Sequence, residues 1–206
     1  MCNCMSRGES NYSKQCGDSY FSLGPSRATS TLGLPANTGA IIPFSSGHTP
    51  IILKTLIDGL VDRVSAIGFG SNVSGIPLVG NTINLPWLGG ETEAFSVPRA
   101  GKITAISAAF TKTVGLTVVG NATIRAQVYR ATAGSNTFVA TNAFVDLAPT
   151  LTGIIATGTT YEATANIANV PVAAGDRLVM VFSVSGTGIK LAVTLTGAAS
   201  AGIIIS

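Results

Sequence analysis

RLVMVFSV, residues 177–184, is the stretch on which the fold turns. On a strand, successive side chains point to opposite faces. Leu178, Met180 and Phe182 then point one way, and Val179 and Val181 on the other face are apolar too. A strand patterned like this is covered on both sides. In a two-sheet sandwich the partner sheet covers only one face, so the second cover comes from a loop or from another subunit. Working outward, ATIRAQVYRA (122–131) alternates: Ile124, Ala126 and Val128 face one way, and Thr123, Arg125, Gln127 and Tyr129 the other. That is a strand with one wet face. The closing run LAVTLTGAASAGIIIS (191–206) repeats the problem of 177–184, because Ile203, Ile204 and Ile205 are consecutive. Left bare at a chain end, such a run is an aggregation hazard. Val179, Val181, Ile203, Ile204 and Ile205 are therefore the candidates for a trimer or other subunit interface.

The rest of the chain from Thr38 onward reads the same way. Val, Ile and Thr dominate, and turn signals recur at Asp58-Gly59, Gly80-Asn81, Gly89-Gly90, Gly120-Asn121, Gly134-Ser135 and Gly175-Asp176. TPIILKTLIDGLVDRV (49–64) has the best helical length, but its β-branched residues and Asp58-Gly59 predict two strands and a turn. Short strands at this spacing predict an all-β sandwich or jelly roll.

Composition says what surrounds that fold. Of the 206 residues, 46% are hydrophobic and 10% charged, where about 25% charged is usual for a soluble domain. Mean hydropathy is +0.48. Either the chain enters a membrane or it buries its outside against copies of itself. The longest uncharged run, Val64 to Gly90, is broken by Gly68, Gly70, Gly75, Pro77, Gly80, Asn81 and Pro86, unlike a spanning helix. Aromatic residues, at 6%, are too few for the girdles of a membrane barrel. Self-association is the expectation, without membrane insertion. The first thirty residues hold no apolar signal core, so synthesis and retention in the cytosol of the producing cell, or release by another route, is expected. The net charge of +3 is scattered, with no basic cluster for a nucleic acid.

Residues 1–37 differ from the rest. They are rich in Ser, Asn, Gly and Pro, and hold all three cysteines, Cys2, Cys4 and Cys16. This reads as an extended connector arm before a head spanning 38–206. Three readings of the thiols stay open: cross-links between arms or to another protein, incidental thiols, or a metal site. Zinc takes four ligands at tighter spacing, so no metal or cofactor is expected. Catalytic groups are sparse. His48 sits in the loop-like SSGHTP, with no G-x-S-x-G nucleophile elbow. Glu91 and Glu93 share one side of a strand, which is too little for a Ca²⁺ shell. GFGSNVSG (68–75) lacks the lysine and spacing of a phosphate loop and reads as a turn. No enzyme is expected.

Several separated phrases carry a family resemblance. FSVPRAGKITAI (95–106) and VPVAAGDRLVMVFSV (170–184) resemble strand–turn–strand phrases of tumour-necrosis-factor-like and complement-type globular heads. TGAIIPFSSG (38–47), VSAIGFGSNVSGI (64–76), AQVYRATAGSNTF (126–138), LAPTLTGI (147–154) and ASAGIIIS (199–206) resemble the C-terminal domain of BclB-type exosporium glycoproteins of spore-forming bacteria. The resemblance implies a ten-stranded TNF-like jelly-roll sandwich that forms a homotrimer. The chain departs from that family in lacking a Gly-Xaa-Yaa stalk before the head. In its place stands the cysteine-bearing arm, which resembles the connectors of spore appendage (endospore fibre) subunits. The expected role is thus a self-assembling structural subunit of a spore-surface fibre or exosporium layer. Its trimers would link head-to-tail through the arms and lock by disulfides, with a spore-surface anchor protein as a second partner, and it would be made in the mother-cell cytosol. The alternative is a trimeric receptor- or carbohydrate-binding head.

Overall fold

The computed structural model describes residues 39–85, 93–188 and 192–206. The chain divides into two units, and these residues belong to the second, Asn37–Ser206; the first, Met1–Ala36, lies outside the described residues, and Cys2, Cys4 and Cys16 with it. The described residues form thirteen strands and no helix. They are β1 (Ala40–Ser45), β2 (Ile51–Thr55), β3 (Val61–Ile67), β4 (Asn72–Pro77), β5 (Thr82–Asn84), β6 (Phe95–Ser96), β7 (Gly101–Lys112), β8 (Leu116–Ala131), β9 (Thr137–Asp146), β10 (Leu151–Ile155), β11 (Thr160–Val172), β12 (Arg177–Thr187) and β13 (Thr194–Ile205).

The thirteen strands form one hydrogen-bonded antiparallel sheet, continuous through β2, whose two parts face each other across the core as a first and a second sheet. The first runs β11-β7-β13, with β1 on the C-terminal half of β13 and β2 on its N-terminal end. The second runs β3-β12-β8-β9-β5, with β4 on β3 and β10 on the start of β8. The β2–β3 hairpin joins them, as 49–64 predicts, with Gly59 in the left-handed region at φ 83°. Neighbours distant in sequence pair within each sheet, which is jelly-roll connectivity. The strand number is thirteen rather than ten. Several elements are short: β4, β5, β6 and β10 are 6, 3, 2 and 5 residues long and pair at the margins of the longer strands.

The space between the sheets is filled by the inward rows, among them Phe44, Leu53, Ile67, Ile106, Phe110, Met180 and Phe182. A second core lies on the outside of the second sheet. There Val179 and Val181 are 0% and 1% exposed and pack with Val64, Tyr129 and Phe138 beneath Ile76, Ile83 and Leu85. The chain covers this face itself, by folding residues 72–85 with β4 and β5 across it. Of the two covers the sequence leaves open, the loop is the one present, and Val179 and Val181 have no surface left to offer a subunit. Ile203 and Ile205 also leave the interface set, because both point into the inter-sheet core. Only Ile204 of the five turns outward.

Of the buried charged residues Glu93, Lys112 and Asp176, the lysine is the most enclosed. Lys112, at the end of β7, is 1% exposed and donates from Nζ to the Ile155 carbonyl at 2.9 Å. Its own backbone N–H and C=O pair with Thr159 and Gly158. Burial without a carboxylate lowers its pKa from 10.5. Between the lowered value and 10.5 the unfolded chain binds more protons than the folded one, so this residue's contribution to stability rises with pH across that window. The expected outcome for Lys112→Met is a stability difference that shifts in favour of the wild type as the pH is raised from about 7 toward 10.5, read from urea midpoints at a series of pH values.

Candidate assembly interface

The outer face of the first sheet is assembled by register. Across β11, β7, β13 and β1, residues opposite one another point the same way. One outward row is Asn166, Ala105, Ile204 and Ile41; the next is Thr164, Ser107, Gly202 and Pro43. A third is Glu162, Ala109, Ser200 and Ser45, and a fourth is Thr160, Thr111 and Ala198. Glu162 is the one ionisable side chain in these rows. The rest are small, hydroxyl-bearing or aliphatic, apart from the amide of Asn166.

Small side chains make this face low and smooth. Ser107 and Thr164 hydroxyls are 2.7 Å apart, and those of Thr111 and Thr160 are 2.9 Å apart. These cross-strand pairs satisfy polar groups within the sheet, so another surface can approach without stranding them. Between the rows lies an open depression of about 510 Å³ lined by Ser107, Ala109, Glu162, Thr164, Ser200 and Gly202. At its margin Ile41 is 72% exposed and pairs directly with Ile204, beside Ala105. In its depletion of charge this face resembles an interface centre, while its Ala and Ser content differs from the aromatic-rich centres of most interfaces.

The second sheet contrasts with it. Arg125 makes a two-pronged bond to Asp146, at 2.7 and 2.8 Å, and its guanidinium lies 4.1 Å from the centre of the Phe144 ring. The paired carboxylate raises the pKa of Arg125. Charge is thus placed on β8 and β9, away from the small-residue face.

The remaining sequence candidates fall elsewhere. His48 is exposed in the turn after β1. Glu91 lies outside the described residues. Glu93 is buried over Gly68 and accepts a 2.6 Å bond from Ser71 Oγ. Of GFGSNVSG, read as a turn, residues 68–71 connect β3 to β4 and residues 72–75 already belong to β4. Among the described residues no three His, Cys, Asp or Glu side chains gather where they could hold a metal ion. The small-residue face escapes a reading of hydropathy, because Ala, Ser, Thr and Gly carry little signal. Only the alignment of four strands reveals it.

No family model matches the chain. A curated relative, Collagen-like protein 1 of Acanthamoeba polyphaga mimivirus, is 30% identical over 185 residues, which is 84% of this chain and 19% of that protein. The chain therefore spans about a fifth of that relative's length. Among solved structures, Eiger TNF from S. frugiperda aligns with a TM-score of 0.39 and 11% identity, over 82% of this chain and 92% of that one.

Two glycines of β13 separate folding from surface shape. A Cβ at Gly197 would strike the Phe110 ring and the Thr111 carbonyl, whereas at Gly202 only the Ile42 carbonyl comes near, at 4.0 Å. Gly197→Ala is expected to cost about 1–3 kcal/mol through overpacking, and Gly202→Ala to leave unfolding nearly unchanged. Denaturant titration of the two variants side by side checks this.

Proposed function

We propose that the chain is a non-enzymatic structural subunit whose heads associate as homotrimers through the outer face of β1, β7, β11 and β13. The observation that carries this reading is the run of four outward rows with one ionisable group among them. A chain with 10% charged residues gains most by covering a face of that kind, since apolar burial contributes about 25 cal/mol per Å². The relative supports threefold association through its name. Collagen-like sequences wind three chains together, and a segment matched within such a protein fits a threefold head.

On this reading the trimers link head-to-tail through residues 1–37 as a spore-surface fibre or exosporium layer, with Cys2, Cys4 and Cys16 forming cross-links once the protein leaves a reducing cytosol. An anchor protein at the spore surface would hold the first layer. Support for this part comes from the sequence: the resemblance of the separated head phrases to exosporium glycoproteins, and three cysteines in the segment before the head.

A terminal binding head is the second reading. A groove of about 550 Å³ between β9 and β11 favours it, because Arg130, Ser135, Thr137, Thr141, Asn142 and Asn169 line it with the hydroxyl and amide groups that sugars engage.

Ala109→Glu places a second carboxylate beside Glu162 in the middle of the proposed interface, on a strand whose inner face is untouched. Sedimentation is expected to give a threefold mass for the wild type and a folded monomer for the variant; a monomeric wild type at high concentration overturns the homotrimer. On non-reducing gels the oxidised wild type is expected to show a ladder of multiples. The ladder disappears when Cys2, Cys4 and Cys16 are all replaced by Ser, and an unchanged pattern would remove the cross-linking part. Electron micrographs of discrete trimers without fibres would favour the binding head.

A further inference from the structure

The two sheets part along one edge, between β9 and β11, and the inward row of β8 changes character there. That row runs Ile124, Ala126 and Val128, all in the core, and then Arg130. Arg130 stands opposite Val139 of β9, so the two side chains point the same way. Neither is sealed: Val139 is 49% exposed and the Arg130 side chain 36%. The guanidinium crosses the gap between the sheets and donates from Nη1 to the Pro171 carbonyl of β11 at 2.8 Å, with Asp176 Oδ2 at 3.8 Å.

The other wall is shaped by a bulge. The pairing of β11 with β7 passes from Asn166–Ala105 to Val170–Ile103, so residues 167–169 lie opposite Thr104 alone. A bulge bends its strand and re-aims side chains, and this one brings Ala168 and Asn169 into the groove of about 550 Å³ that Val139 and Asn142 line from β9. The hydroxyls of Thr141 and Thr137 are already committed, to the Val128 carbonyl at 2.7 Å and to Asn84 Oδ1 at 2.9 Å. The exposed amides of Asn142 and Asn169 are the polar groups that the groove turns to solvent beside the guanidinium. The adjoining end of the sandwich is cationic. The connections there touch one another: the Val97 N–H donates to the Asp176 carbonyl at 2.8 Å, and a Cβ at Gly175 would meet Ala133. Residues 97–102, 130–137 and 172–177 carry Arg99, Lys102, Arg130 and Arg177 against one carboxylate side chain, Asp176. Asp176 is buried and accepts the Ala173 N–H at 2.8 Å, so it belongs to its own turn rather than to the groove.

We propose that this groove binds an acidic glycan, with Arg130 donating to the carboxylate of one sugar ring. The inference rests on the binding-head reading above and gives it a ligand class. A local excess of positive charge draws an anion to the groove. A guanidinium offers a planar pair of donors that matches a carboxylate. The bond to Pro171 holds that plane in place before a ligand arrives, which lowers the entropy lost on binding. Val139 supplies an apolar floor for the C–H face of the ring, and Asn142 and Asn169 engage its hydroxyls. A few polar groups fixed around an apolar base set the orientation of a small ligand.

The test titrates the full chain by calorimetry with oligogalacturonate, with its methyl ester and with a panel of neutral oligosaccharides. The acid is expected to bind at least about tenfold more tightly than the ester, the effect of one hydrogen-bonded charge. Arg130→Gln is expected to abolish that preference and leave the ester's affinity unchanged, with a urea midpoint showing that the head stays folded. Asn169→Ala leaves the bond between Arg130 and Pro171 in place and is expected to weaken acid and ester alike. Equal affinities for acid and ester in the wild type overturn the acidic-sugar assignment and leave the binding head standing. A preference for the acid that survives Arg130→Gln overturns the role given to Arg130. Failure of every sugar to bind overturns both the inference and the reading it rests on.

Discussion

The structure depends on a shortage: there are more apolar faces than the chain has charge to wet. The central strand of the second sheet, β12, shows how the shortage is met. Its inner row enters the sandwich core, and its outer row, with Val179 and Val181, would stand bare if the chain did not fold residues 72–85 back across it. That segment turns one sheet into a two-sided layer. The first sheet has no such cover among the described residues. Its outer rows are instead levelled with Ala, Ser, Thr and Gly, a face that pairs its own hydroxyls and presents little that needs water.

Much of the fold was legible because alternation and turn chemistry are local. The stretch 122–131 alternates and is a strand whose outer side keeps Thr123, Arg125 and Gln127 half-exposed, while Tyr129, expected on that wet face, is buried in the outer core; Asp58-Gly59 is a turn between two strands; Leu178, Met180 and Phe182 share the core. What was not legible was the identity of a cover. An apolar row looks the same in sequence whether the chain's own loop or a neighbour buries it, so Val179 and Val181 read as interface and are core. The three terminal isoleucines show the same ambiguity resolved by period: two enter the core, and Ile204 between them meets Ile41 on the outside. The face that matters most was hidden for the opposite reason. Small residues carry no hydropathy signal, and the four rows exist only once β11, β7, β13 and β1 are in register.

The glycines of β13 show how one strand serves both demands. Gly197 is required by packing, since Phe110 occupies the place its side chain would take. Gly202 faces the open depression, where absence of a side chain keeps the surface low. The same residue type thus answers two different constraints on one strand, and only the neighbouring atoms tell them apart.

Where the charges sit completes the physical case for the direction in which the head faces. Arg125 and Asp146 hold each other across β8 and β9, and Phe144 lies under the guanidinium. This arrangement gains little stability on an exposed surface, but it places polar groups on the sheet that the proposed trimer turns toward solvent. Pairing two of the chain's few charged residues there leaves the four small-residue rows of the first sheet with Glu162 as their one ionisable group.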